Sequence, residues 1–342
     1  RLILFIQCML GAGVCVLVYL LSRRFMSVAL STLAAILTVF SPHLVAGGGY
    51  LLTESLFTFV FCLTILVTVY SFDHPSIYKF AFSGVVFGLA CLIRPTPFML
   101  LPLLGVAIYK TYMAKTWLHY FLAFVFGAAL VLAPWGFWKG GQEVGEEPSL
   151  LRATLAMGSY PDLVYRSPAF RGYPYREDPL YKEMSESLSA AAKTIGHRIS
   201  AEPVKYIAWY LVGKPVMFWS PVDPSGPGGV YIYPTQSFYD RPGIMSQSVS
   251  VYMAAHDIFL FLGGIALLLA IRLSIRVGWY EAMPVIAIVV VLVYFTLVHM
   301  VLTPLPRYAF PLYPLLFILT AYAVGAGIGL LMRFRRGYDF LQ

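Results

Sequence analysis

Nine apolar runs dominate this chain and leave few ways for it to fold. They cover roughly residues 2–21, 25–46, 51–72, 79–93, 97–113, 117–138, 255–271, 282–303 and 308–332. Most approach the ~20 apolar residues that cross ~30 Å of hydrocarbon as a helix. The pattern predicts an all-α membrane protein, a multipass bundle of about nine transmembrane helices with a large external loop domain. The fourth and fifth runs are short and separated only by "RPTP", so they read as one tight hairpin. Of 342 residues, 59% are hydrophobic and 12% charged, and the mean hydropathy is +0.76. A soluble domain cannot hide that much apolar surface. The chain opens at Arg1 and is apolar at once, which reads as a chain lacking its true N-terminus, targeted by its membrane segments.

Charge sets the expected orientation. Arg23, Arg24, Lys79, Lys110, Lys115, Arg272, Arg276, Arg333, Arg335 and Arg336 fall in the short loops and tail on one side, and only Arg94 and Arg307 in the short loops on the other. By the positive-inside bias the first set is cytoplasmic and the long 139–254 stretch is external. That stretch carries 11 basic and 11 acidic residues, so the net charge of +8 lies in the membrane part. The basic balance therefore reflects topology and anionic lipid headgroups, and gives no reason to expect a nucleic-acid partner. Cys8, Cys15, Cys62 and Cys91 all lie in apolar runs without metal-ligand spacing, and read as packing residues.

Three blocks follow: residues 1–138 with six closely spaced segments, 139–254 as an external domain, and 255–342 with three segments and a basic tail. Within the middle block, 177–200 reads as a helix with an acidic start and basic end. Residues 203–219 read as a second, aromatic and basic helix suited to the membrane surface. The Pro- and Gly-dense "SPVDPSGPGGVYIYPTQS" reads as loop.

Charges near the outer ends of membrane segments are expensive and informative. Glu54, in "GGGYLLTESLF", opens the third segment, where a carboxylate suits the helix dipole and Thr53 suits a cap. The same carboxylate could face an outer cavity and hold a metal ion, a sugar hydroxyl or a nucleophile. Arg94, in "CLIRPTPF", ends the fourth segment, where the dipole favours a cation and the side chain could snorkel to headgroups. Arg307, in "VLTPLPRYAFPLYPLL", precedes a helix N-terminus, where the dipole disfavours a cation. A phosphate would offset that cost, and Tyr308 beside it could add a hydrogen bond. His43 and His299 lie near outer ends and read first as packing histidines, Asp257 as a cap beside His256, and Gly84/Gly88 and Gly325/Gly329 as close helix packing. There is no GxxxxGK[ST], HExxH or GxSxG pattern, which argues against a nucleotide-driven cytosolic reaction.

The order "SPHLVAGGGYLLTESLFTFVF", "GVVFGLACLIRPTPFMLLPLL", an "APW" exit into a long loop, and a terminal "RYAFPLYPLL" resembles the bacterial GT-C glycosyltransferases of the dolichyl-phosphate-mannose–protein mannosyltransferase superfamily (family 39-like). That group includes the aminoarabinose and galacturonic acid transferases of lipid A and lipopolysaccharide core. The resemblance implies an integral protein of the bacterial inner membrane with its active site facing the periplasm. It implies an inverting transfer of a sugar from a polyprenyl-phosphate donor to a hydroxyl of a glycan, lipid or protein acceptor. The leaving phosphate of that reaction needs cations, which Arg307 with Arg94 and Tyr308 would supply, so these residues and His299 are the expected substrate-binding set; the resemblance puts Glu54 at the family's second acidic position. The family's principal catalytic Asp is then expected upstream of Arg1, since no acidic residue precedes Glu54. Activity is expected to need no nucleotide, and a divalent metal ion stays open as a cofactor because some relatives use one. Two rival readings stay open beside it: a non-catalytic lipid-phosphate-binding protein, and a secondary transporter.

Overall fold

The computed structural model describes residues 2–112, 116–140, 150–161, 178–221 and 242–339. All regular structure among these residues is helical. In chain order the helices are α1 (Leu2–Ser22), α2 (Val28–Val39), α3 (Pro42–Gly47), α4 (Glu54–Asp73), α5 (Ile77–Ile93), α6 (Leu101–Thr111) and α7 (Thr116–Gly140). Then come α8 (Leu150–Gly158), α9 (Tyr181–Glu186), α10 (Leu188–Ala201), α11 (Pro203–Ala208) and α12 (Lys214–Phe218). Last are α13 (Ile244–Val277), α14 (Trp279–Val301) and α15 (Tyr313–Asp339).

Six helical stretches among the described residues are long and apolar enough to cross a membrane: Leu2–Ser22, Glu54–Asp73, Thr116–Gly140, Ser246–Val277, Trp279–Val301 and Pro306–Leu330. Three more apolar helices, Val28–Val39, Ile77–Ile93 and Thr96–Thr111, are shorter than a span. With many large apolar side chains on the outside, such as Phe5, Phe82, Phe126 and Phe261, these stretches make the chain an integral membrane protein.

Where nine spanning helices are expected, the described residues hold six stretches of spanning length and three shorter apolar helices. In the second run the reason is local. Pro42 pushes Ser41 into an extended conformation (φ −70°, ψ 111°), so the run splits into α2 and the short α3. The hairpin at "RPTP" is present: α5 ends at Ile93, and a 3₁₀ turn over Thr96–Leu100 leads into α6. The expected 177–200 helix is broken at Ser187, which is extended (φ −152°, ψ 157°) and caps α10 by accepting from the Ala190 N–H at 3.0 Å. Asp257 is no cap, because α13 starts thirteen residues earlier, at Ile244, and runs through it. Residues 222–241, including most of the expected loop, lie outside the described residues.

The chain divides into two compact units: residues 1–141, 254–292 and 311–342 form the first, and 142–253 with 293–310 the second. In the first, α4 and α5 pack side by side and α5 lies against α7. Gly84 and Gly127 make this last contact close. A Cβ on Gly84 would overlap the Phe124 carbonyl, and one on Gly127 the Ala81 carbonyl. Gly325 likewise faces the Leu30 side chain. His43 and His256 are buried and flank the ring of the buried Tyr313 at 5.4 and 5.7 Å. All four cysteines are free, with Cys62 and Cys91 in the core.

In the second unit, α8, α9 and α10 bury Ala156, Met184 and Ala191 together. Arg198 of α10 makes two hydrogen bonds of 2.7 Å to the fully buried carboxylate of Asp178. Residues 203–218 are helical throughout, α11 passing through one π-helical turn at Trp209–Gly213 into α12.

Candidate functional site

The first unit positions Glu54 and Arg94. Arg94 precedes Pro95, which excludes the helical conformation, so it caps α5 in an extended state (φ −144°, ψ 126°) with its N–H on the Ala90 carbonyl. Its side chain turns inward. Nη2 lies 2.7 Å from Oε1 of Glu54, and the guanidinium sits 5.4 Å from the Phe57 ring centre. The expected cap by Thr53 is absent; its hydroxyl lies 3.4 Å from Arg94 Nη2 instead. Glu54 opens α4 with its side chain 8% exposed, where the helix dipole favours a carboxylate. Its other oxygen, Oε2, is buried without a hydrogen-bond partner among the described residues. Buried carboxylate oxygens seldom stay unpartnered, so this one is poised to accept from a ligand hydroxyl.

The loop before Glu54 is pinned from a distance. Gln7 of α1 is buried, and its side-chain amide donates to the carbonyls of Tyr50 (2.9 Å) and Leu52 (3.1 Å). A lone amide inside the first apolar run was the available signal; the reading of charges passed over it.

The second unit positions Arg307, Tyr308 and His299. Leu305 is extended ahead of Pro306, and a 3₁₀ turn follows, closed by the Tyr308 N–H on the Leu305 carbonyl and the Ala309 N–H on that of Pro306, both 2.9 Å. The half-buried Arg307 guanidinium lies 5.4 Å from the Tyr308 ring centre. Tyr308 packs against the buried pair Met217 and Leu305. His299 is buried between the rings of Phe218 (4.5 Å, stacked) and Tyr308 (5.5 Å). Its Nδ1 lies 2.8 Å from the Phe295 carbonyl. A carbonyl only accepts, so Nδ1 carries a proton and donates in this contact.

Lys214 was missed by sequence reasoning. It is fully buried, donates to the carbonyls of Val301 (3.0 Å) and Leu302 (3.1 Å) at the end of α14, and lies 4.0 Å from the Tyr210 ring centre. It caps the helix that leads into the Arg307 turn, and Thr303 fixes the next residue by donating to the Thr154 carbonyl at 2.8 Å. Burial pushes its ammonium down to about 7. Nothing in "LVGKPVMF" distinguishes this lysine from an interfacial one.

Among the described residues, no three His, Cys, Asp or Glu side chains gather as metal ligands. Glu54 is a single carboxylate already facing a guanidinium, which does not fit a divalent cation.

Compared with known proteins, residues 1–138 match the family model described as dolichyl-phosphate-mannose-protein mannosyltransferase. The matched stretch includes Glu54 and Arg94 and stops before the second unit. No curated protein matches the chain, and no solved structure does.

Proposed function

We propose that the chain is a membrane glycosyltransferase that moves a sugar from a polyprenyl-phosphate donor to an acceptor hydroxyl at the outer face of the membrane. The observation that carries this reading is the family match over residues 1–138, with a buried carboxylate oxygen of Glu54 inside it. An acceptor hydroxyl attacks the anomeric carbon from the face opposite the phosphate, its proton passes to a carboxylate acting as general base, and the polyprenyl phosphate departs with the bonding pair. The residues serve that charge movement. Arg307 binds the departing phosphate, with the Tyr308 hydroxyl as a further donor and His299 positioning the Tyr308 ring. Arg94 orients Glu54, and Glu54 accepts a hydrogen bond from a sugar or acceptor hydroxyl as an accessory acidic residue rather than as the sole base. The 139–254 region, in part through its Tyr and Trp faces, selects the acceptor.

The direct test incubates membranes holding the full-length protein with a short-chain polyprenyl-phosphate hexose and no nucleotide sugar. Release of polyprenyl phosphate together with a glycosylated product supports the reading; binding of donor without product supports the non-catalytic lipid-phosphate protein. That second reading draws on one observation, that Arg94 engages Glu54 as a structural ion pair. Movement of sugar across sealed vesicles with no covalent product would instead indicate a transporter.

A further inference from the structure

We propose that the bundle holds one anionic phospholipid, with an acyl chain in the cavity between α4, α6 and α14 and its phosphate at Lys110. The cavity measures about 240 Å³ and its wall is apolar apart from Thr64 and Thr68. The Thr64 hydroxyl already donates to the Val60 carbonyl at 2.8 Å. Such a cavity gives water too few partners; it exceeds the ~150 Å³ apolar cavity that stays dry and takes up benzene.

Length and opening point to a hydrocarbon chain. The α4 wall runs from Phe61 to Phe72, a rise of about 17 Å, which is roughly half of a ~30 Å hydrocarbon core, or one leaflet. On the α6 side Leu103 and Val106 line the cavity and remain exposed at its rim, so a chain can enter from the bilayer.

The far end is built for a headgroup. There the cavity reaches Trp279, whose indole N–H donates to the Thr111 hydroxyl at 3.2 Å. The exposed Lys110 ammonium lies 5.2 Å from the Trp279 ring centre. The hydroxyls of Tyr112 and Tyr280 both donate to the Phe72 carbonyl, at 2.7 and 3.3 Å, and tie the three helix ends together. Aromatic rings of this kind mark headgroup depth. The neighbouring carboxylate Asp73 is ion-paired with Arg24, and Glu281, in the first turn of α14, makes no ion pair with Lys110 among the described residues, so the ammonium is left to meet an arriving phosphate. This end of α4 is opposite Glu54, so the lipid is distinct from the sugar donor, and its binding does not depend on the reaction proposed above.

Native mass spectrometry of the full-length protein in detergent tests this, with titrations of phosphatidylglycerol, phosphatidylcholine and polyprenyl phosphate. One phosphatidylglycerol per chain is expected. Lys110→Ala, at an exposed side chain, should weaken it about fivefold and leave phosphatidylcholine unchanged. Ala287→Phe, which fills the cavity wall, should weaken both lipids about tenfold or more, the equivalent of losing about two buried methylenes. Phosphatidylglycerol binding unchanged in both variants overturns the proposal. So does polyprenyl phosphate displacing phosphatidylglycerol with the same dependence on Lys110 and Ala287.

Discussion

Arg94 joins the end of α5 to the start of α4 through a 2.7 Å contact with Glu54, two side chains that are only 16% and 8% exposed. Breaking one half of such a pair leaves a charge without its partner in a place that water hardly reaches. Removing one partner of a buried pair costs about 3–5 kcal/mol, and partial exposure brings Glu54→Gln and Arg94→Ala to about 2–3 kcal/mol each. The double variant Glu54→Leu with Arg94→Met should recover at least about 1 kcal/mol of that loss while abolishing donor use. Thermal unfolding in detergent, read beside the transfer assay, checks both parts.

Arg307→Ala should lower turnover with a polyprenyl-phosphate sugar about 100-fold or more, the scale of removing one electrostatic donor from a developing anion. Arg307→Lys should recover only part, because an ammonium lacks the planar fork that fits a phosphate. Equal rates for all three proteins would remove Arg307 from the reaction.

Lys214 predicts a pH dependence of stability. Its folded value lies near 7 against an ordinary 10.5, so between those values the unfolded chain holds more of the proton. Stability therefore rises with pH from about 7 towards 10.5, by at most about 1.4 kcal/mol per pH unit from this group. The neutral amine still donates to Val301 and Leu302, so the helix end keeps its cap. Lys214→Met should flatten that rise; a denaturation series across this range reads the slope directly.

Gly84→Ala should destabilise by about 1–3 kcal/mol, because the added methyl meets the Phe124 backbone rather than a side chain that can turn away. Gly11→Ala is the matched control, since nothing lies within 4 Å of its Cβ position. If both behave alike, the close approach of α5 and α7 is wrong.

Arg198→Lys should not restore what Arg198→Ala loses. Asp178 uses both carboxylate oxygens on two guanidinium nitrogens, and a lysine offers a single point charge. The hydrogen bond to Asp178 also raises the Arg198 pKa. Loss of about 3–5 kcal/mol in the alanine variant, measured by thermal unfolding, would fit a buried pair.

The helical, membrane-embedded character of the chain was legible because apolar runs of nearly spanning length allow little else. The break at Ser41 was legible in principle from Pro42, and the "RPTP" hairpin was read directly. Ser187 was not read as a break, since a serine inside a run of good helix formers suits a cap and a helix interior alike. Each half of the Glu54–Arg94 pair stood out by its position. Their meeting did not, because forty residues separate them and only the packing of α4 on α5 decides it. Lys214 and Gln7 were missed for the same reason: burial and remote carbonyl partners leave no local trace.

The contact between α5 and α7 has a consequence for how the protein is made. Residues 84 and 88 of α5 meet residues 124, 128 and 131 of α7 in the same order, so the two helices run parallel. α5 alone is shorter than a span, and the partner that covers its glycine face leaves the ribosome some forty residues later. Until then α5 and α6 must wait as an incomplete hairpin. The expected outcome is that α5 and α6 settle in the bilayer only once α7 has emerged, rather than helix by helix.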